Sequence, residues 1–423
     1  MSVKKTYLKR VVDAEIDECL EFSGAVLIEG AKWCGKTRTA KEKAASALFM
    51  QSSGKTSEYI TNVYTNPSNL LKGKVPRLID EWQIAPPIWD AIRFEVDERC
   101  EPGQFILTGS AAPQDDGMRH SGTGRIARVL MRPMSLFESM ESNGTVSLGN
   151  LFDSTENVGS RSDLTVNEMT SALVRGGWPA SIGSSKNLAS KTARAYVKSI
   201  INTDISRVDG VKRNPIKVHE LLRSLSRNIS TTATATTIWK DMQGDDDTIS
   251  EKTVASYINA LRRIFVVEDL PAWNPSTRSK VTVRTSPKRH FVDPSIAAAV
   301  MRTSPQRLLT NDFKTLGLLF ESLCIRDLRV YAQAIDGQVF HYRNRNDLEV
   351  DAIVQLYDGR WCAIEVKLGS NEIDKAVKNL NRFRELIDTE HMPEPSFLMV
   401  LTAGEYTYES DGVYVVPIGC LKQ

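Results

Sequence analysis

The chain has 423 residues, 41% of them hydrophobic and 25% charged, and a formal net charge of +2. Such a length exceeds one core and suits about two to four domains. The composition is that of an ordinary globular protein, and the near-neutral charge excludes a polybasic tail, so any nucleic-acid contact must rest on local patches. Cys19, Cys34, Cys100, Cys324, Cys362 and Cys420 are scattered without a C-x-x-C pair, and no apolar run approaches the ~20 residues of a membrane span. Reduced thiols, no membrane and a cytoplasmic location are expected.

The apolar run 25–28 (AVLI) predicts a strand, and Gly30-Ala31-Lys32-Trp33-Cys34-Gly35-Lys36-Thr37 follows it and opens an Ala- and Lys-rich helical stretch. In this G-x-x-x-x-G-K-T pattern the glycines let successive N–H groups turn toward the phosphates of ATP at a helix N-terminus. Lys36 then reaches the β- and γ-phosphates and Thr37 takes Mg²⁺. A second apolar run ends at Asp80 and Glu81, which puts two carboxylates at a strand's C-terminal edge, Asp80 for Mg²⁺ and Glu81 to polarise the attacking water.

The next run, 105–107 (FIL), ends in Thr108-Gly109-Ser110. Its hydroxyls, Ser110 among them, suit either sensing of the γ-phosphate and lytic water or a plain strand-ending turn. After a polar, Gly-containing loop at 111–123, Arg125 and Arg128 precede a strand-like 129–131. Each is a candidate for the arginine that a neighbouring subunit inserts at the γ-phosphate, and each suits a solvated face equally well. The first role implies a homo-oligomer, such as a hexameric ring.

GAKWCGKT (30–37), DEWQ (80–83), LTGS (107–110), MRPMSLFES (131–139) and GGWP (176–179) are the stretches in which the chain resembles a family of AAA-type ATPases from bacteria and archaea. Those proteins begin with a GPKWCGKT-like loop and a DEWQ box and end in a domain of unknown function related to PD-(D/E)xK nucleases. The resemblance spans essentially the whole chain and implies an ATP-binding AAA fold. Ala31 stands where the family often has Pro, a change that leaves the phosphate contacts intact.

The middle of the chain is basic. Residues 186–230 hold ten Lys/Arg (Lys186, Lys191, Arg194, Lys198, Arg207, Lys212, Arg213, Lys217, Arg223, Arg227) against three acids (Asp204, Asp209, Glu220). Helical spacing then recurs, and in 251–264 Val254, Ile258 and Leu261 share one face while Lys252, Ser256, Asn259 and Arg263 lie elsewhere. Two strand-like pieces, 265–270 and 280–284, follow. Three short helices and a β-ribbon make a winged helix with 251–264 as its recognition helix and Arg278 and Lys280 in a basic wing, continued by Arg284, Lys288 and Arg289. DNA is the expected partner; a winged helix that only packs against another domain is the alternative.

In the last part, a helix at 312–328 carries Glu321, then strand-like runs follow at 339–343, 348–356 and 361–366, a helix at 372–387 and a strand at 397–401. This α-β-β-β-α-β order is that of PD-(D/E)xK nucleases, with Asp351 in one strand and Glu365 and Lys367 in the next. Two carboxylates would clamp a metal on the scissile phosphate, and a lysine two residues on shares their strand face. Catalysis demands that residue 351 lie opposite 365, which a three-residue loop 357–359 with a left-handed Gly359 provides and a two-residue loop does not. Glu321 would be a third carboxylate; Gln355 could meet DNA, Asn379 could do so but reads better as a solvated helix residue, and His341, Tyr342, Arg343 and Arg345 suit either phosphate binding or capping of the sheet edge. The alternative is a nuclease-shaped scaffold kept for docking.

The expected architecture is α/β throughout its ends: a P-loop AAA-type ATPase domain (1–185), a basic helical and winged-helix domain (186–300) and a PD-(D/E)xK nuclease-like domain (301–423).

Overall fold

Five short strands, most of them apolar on both faces, pair in parallel to make the first sheet, as expected of a sheet covered by helices on both sides. In the computed structural model, residues 6–52, 54–110, 122–154, 159–243, 249–274, 286–344, 348–387 and 392–423 are described. The chain divides into two units, Met1–Pro133 with Arg263–Phe265, and Met134–Arg262 with Val266–Gln423. The two units divide after Pro133.

The first unit runs α1 (Asp13–Phe22), β1 (Ala25–Glu29), α2 (Lys36–Lys43), β2 (Ser46–Phe49), α3 (Thr56–Thr65), α4 (Pro67–Leu71), β3 (Arg77–Asp80), α5 (Ile88–Arg99), β4 (Phe105–Gly109) and β5 (Ile126–Leu130). Its strand order is β2-β3-β4-β1-β5. Because β4 lies between β1 and β3, Thr108 stands level with Ile28 on one side and Asp80 on the other.

The second unit starts with β6 (Val146–Ser147), α6 (Leu148–Asp153), α7 (Val166–Arg175), α8 (Lys186–Ser199), α9 (Ile205–Arg207), α10 (Pro215–Arg227), α11 (Ala235–Asp241) and α12 (Glu251–Arg263). A short antiparallel ribbon follows, in which Val267 bridges Phe291 and Leu270 bridges Lys288. The second ribbon strand is thus 288–292; the expected piece at 280–284, with Arg278 and Lys280, lies outside the described residues. Next come α13 (Pro294–Val300), α14 (Pro305–Asn311), α15 (Phe313–Gln333), β7 (Gly337–Arg343), β8 (Glu349–Leu356), β9 (Trp361–Lys367), α16 (Ile373–Glu385), β10 (Leu398–Thr402), β11 (Tyr408–Ser410), β12 (Val413–Pro417) and β13 (Leu421–Lys422). The second sheet has the order β11-β12-β10-β9-β8-β7, antiparallel through β7, β8 and β9 and parallel from β9 through β10 to β12. The expected α-β-β-β-α-β order is present, with β11 and β12 added. No described helix is long and apolar enough to cross a membrane.

The MSLFES and GGWP stretches are scaffold in this unit. Met134 N donates to Gly177 O (2.7 Å), Gly177 N to Asp293 Oδ2 (2.9 Å), Trp178 Nε1 to Ser295 Oγ (3.0 Å) and Leu136 N to Asp327 Oδ2 (2.9 Å). Arg326, buried with both acids, pairs with Asp293 (2.9 Å) and Asp327 (2.7 Å). Burial lifts Asp327 to about 6 against the pull of Arg326. Removing one partner of a buried ion pair strands the other charge. Asp293→Ala is therefore expected to destabilise the second unit by about 3–5 kcal/mol in urea unfolding; a loss below about 0.5 kcal/mol, the size of an ordinary surface change, would refute this role.

Candidate functional site

The phosphate loop stands where β1 meets α2. Gly30 has φ 146°, and a Cβ there would meet the Met131 carbonyl oxygen at 2.1 Å, so only glycine lets the loop pass under β5's exit. Ala31 and Cys34 are buried, Lys32 is half-buried and Trp33 is exposed. The Cys34 thiol donates to Met131 O (3.3 Å), a packed small residue in the loop. Lys36, buried, donates to Gly30 O and Ala31 O, both at 2.8 Å, and Gly35 sits in the left-handed region as the helix N-cap.

Asp80 and Thr37 come together as expected. Thr37 Oγ1 donates to Asp80 Oδ1 at 2.7 Å, and Thr108 Oγ1 donates to the same oxygen at 2.7 Å. The Thr108 hydroxyl also accepts from Glu81 N (3.3 Å), so one side chain braces both acids. Glu81 itself has φ 57° and ψ 50°, a left-handed backbone that a non-glycine residue holds at some cost and that concentrates at functional sites. Its carboxylate accepts from the Gln83 amide, and Ser110 Oγ lies 3.5 Å from the same oxygen. Thr37 and Asp80 present oxygen donors around one point, which fits Mg²⁺; the ion would supply charge neutralisation of the phosphates there.

Two contributors had no role assigned from the sequence. Arg10, buried ahead of α1, donates to Cys34 O and to Arg132 O, each at 2.8 Å, and clamps the phosphate loop to the end of β5. Gln83 engages the glutamate from within the DEWQ box. Nothing near Arg10 marks it; Gln83 had only its place in the DEWQ stretch, two residues after Glu81. The arginine candidates divide: Arg125 is tied to Asp97 (2.6 Å) at the sheet edge far from the loop, whereas Arg128 is exposed on the edge strand β5 over the Trp89 ring.

Strands β8 and β9, with α15, assemble the second constellation. Ala352 pairs with Ile364, Gln355 with Trp361, and the register carried on sets 351 opposite 365. The loop has three residues, with Gly359 at φ 92°. Asp351, Glu365, Lys367 and Glu321 are brought together, but around ammonium groups. Lys288 Nζ lies 2.9 Å from Glu321, 2.8 Å from Glu349 and 3.0 Å from Asp351, and Lys367 Nζ lies 3.1 Å from Asp351 and 2.5 Å from Glu365. Asn379, read from the sequence as a surface residue, donates to Glu365 Oε1 (2.6 Å).

Burial alone would lower Lys288, but the charges of Glu321, Asp351 and Glu349 outweigh it and hold the ammonium well above its usual range. Burial would raise Asp351, but Lys288 and Lys367 hold it below the usual carboxylate range. Burial, then the Asp351 charge, lifts Glu365 to about 8, and burial lifts Glu321 to about 7. As arranged, these donors do not fit a divalent metal unless Lys288 leaves.

The neighbours named for DNA divide likewise. Lys288 and Arg289 are buried and paired, Arg289 with Asp269 (2.8 Å), so neither is offered to phosphate. Tyr342 packs on Phe383 (4.8 Å between ring centroids), Gln355 accepts from Trp273 Nε1 (3.0 Å), and burial lowers His341 to about 4. Arg343 reaches Thr232 (3.4 Å), and Arg345 lies outside the described residues. On α12, Lys252, Ser256 and Asn259 are exposed, Arg263 is half-buried, and Val254, Ile258 and Leu261 are buried.

The loop, the braced acid pair and the parallel sheet with β4 between β1 and β3 define a P-loop ATPase of the AAA kind. Residues 23–140 match the AAA domain family, residues 167–307 a domain of unknown function (DUF8612) and residues 316–421 another (DUF4143). The uncharacterized proteins Rv2008c of Mycobacterium tuberculosis and Mb2031c of Mycobacterium bovis are each 23% identical over 419 residues, covering 97% of this chain and 83% of theirs. A solved structure, the Walker-type ATPase paby2304 of Pyrococcus abyssi, is similar at 12% identity and a TM-score of 0.44, over 70% of this chain and 97% of that one.

Thr108→Val removes the hydroxyl that braces Asp80 and Glu81 while keeping shape. It is expected to lower kcat for ATP about 10–100-fold, the usual effect of losing such a supporting bond, with nucleotide affinity nearly unchanged. Unaltered kcat in a steady-state ATPase assay would refute the role.

Proposed function

We propose that this chain is an ATP hydrolase that binds DNA through the exposed face of α12 and uses turnover to remodel it, working as a homo-oligomer with a non-cutting, nuclease-shaped last part. The observation that carries the DNA reading is α12 itself: its apolar side is buried and Lys252, Ser256 and Asn259 face solvent, the presentation a recognition helix needs. The helices α10, α11 and α12 followed by the ribbon support a winged helix. Exposed cations add phosphate-binding capacity, namely Lys191, Arg194 and Lys198 on α8, Arg207 on α9, Lys212 after it, and Arg223 and Arg227 on α10.

Turnover is expected to rise several-fold with duplex or forked DNA at low salt and to lose that stimulation as salt increases, because each neutralised phosphate releases counterions. Lys252→Glu should weaken DNA binding across sequences and reduce the salt slope by about one unit, leaving basal turnover intact. ATPase rates indifferent to DNA at low salt, with no DNA retained in a mobility-shift assay, would sink the proposal.

For the oligomer, Arg128 is the better placed of the two arginine candidates, since Arg125 already has Asp97. Arg128→Ala is expected to cut hydrolysis by about 10³-fold with ATP still bound. Normal turnover in this variant and in Arg125→Ala would exclude completion of the site by either residue.

A further inference from the structure

Lys288 is the feature that neither the ATPase site nor the DNA-binding face uses. Its backbone is fixed by the ribbon, where Lys288 N donates to Leu270 O (3.0 Å) and Leu270 N to Lys288 O (2.9 Å). Its side chain, 1% exposed, leaves the ribbon and ends between α15 and β8. There the ammonium has three N–H donors and three carboxylate partners, Glu321, Glu349 and Asp351, all within 3.0 Å. The bonding capacity of the group is filled.

Every oxygen of Asp351 and Glu365 is engaged as well. Asp351 Oδ1 accepts from Lys288, while Oδ2 accepts from Lys367 (3.1 Å) and from Val366 N (2.9 Å). Glu365 Oε2 accepts from Lys367 and Oε1 from Asn379. A divalent ion held between Asp351 and Glu365 would have to take oxygens already bonded to two ammonium groups, and would then stand against both positive charges in a dry interior. We propose that Lys288 is the resident cation of this constellation: it occupies the metal's place, the cluster takes no divalent ion, and the side chain bolts the ribbon to the nuclease-shaped core. This stands apart from the DNA reading and survives its failure.

The test is Mn²⁺ binding to the full-length protein without nucleotide, read by the loss of the free Mn²⁺ electron paramagnetic resonance signal. Any ion held at Asp80 is common to all variants and cancels. Wild type and Asp351→Asn are expected to give the same isotherm, because no Mn²⁺ sits at the cluster. Lys288→Met, which keeps much of the length and removes the charge, is expected to gain one site that the added Asp351→Asn change removes.

A site present in wild type and lost in Asp351→Asn or Glu365→Gln overturns the proposal. So does a folded Lys288→Met, with wild-type circular dichroism and ATP turnover, that gains no site. Where Lys288→Met does not fold, the comparison of wild type with Asp351→Asn and Glu365→Gln decides: identical isotherms support the lysine as cation, and a difference refutes it.

Discussion

A charge buried in protein is tolerated only when partners replace the water it has lost, and the second unit is organised by that requirement. Arg326 meets Asp293 and Asp327, and those two carboxylates also accept backbone N–H groups from Gly177 and Leu136. Segments separated by more than a hundred residues are thereby fixed at one point. Lys288 does the same for the ribbon, α15 and β8. Apolar side chains at these positions could fill the space, but hydrophobic contact is non-directional, whereas an ammonium with three acceptors has one satisfactory depth and orientation.

The pairs Asp80 with Glu81 and Asp351 with Glu365 show opposite uses of the same chemistry. Asp80 is held by the hydroxyls of Thr37 and Thr108, which are neutral and hold its position without cancelling its charge. A cation arriving there keeps the full attraction of the carboxylate. Asp351 is held by ammonium groups, which give comparable distances but supply the positive charge themselves. Geometry alone does not separate these cases; the charge of the bracing group does.

Much of the first unit was legible because its signals are local. The phosphate loop, the strand before it and the acids at 80 and 81 are read within a few residues of one another, and the glycines state their backbone requirement outright. Thr108 was visible only as one of two hydroxyls, with Ser110, since its role depends on β4 lying between β1 and β3, a matter of sheet order. Arg10 acts through backbone carbonyls far along the chain, and nothing in its neighbourhood marks it. In the second unit, the register of β8 and β9 followed from loop length and the left-handed Gly359, because hairpin pairing is set locally. The boundary after Pro133 was hidden because the segment that follows pairs with Gly177, Asp293 and Asp327 through long-range hydrogen bonds.

Lys288 reaches the carboxylates of the last part without any local signal in the sequence that would place it there. An intact Asp351, Glu365 and Lys367 invites the inference that a metal must be bound, since buried carboxylates without a cation would be costly. The premise is sound, but it asks only for positive charge and does not say which atom carries it. A lysine 63 residues before Asp351 in the chain meets the same demand. Read as part of a basic run from Arg284 to Arg289, it resembles a phosphate contact; once the ribbon directs it inward, it becomes the counter-ion of the cluster. A motif of metal-binding carboxylates therefore implies a metal only after every buried cation within reach of them has been located.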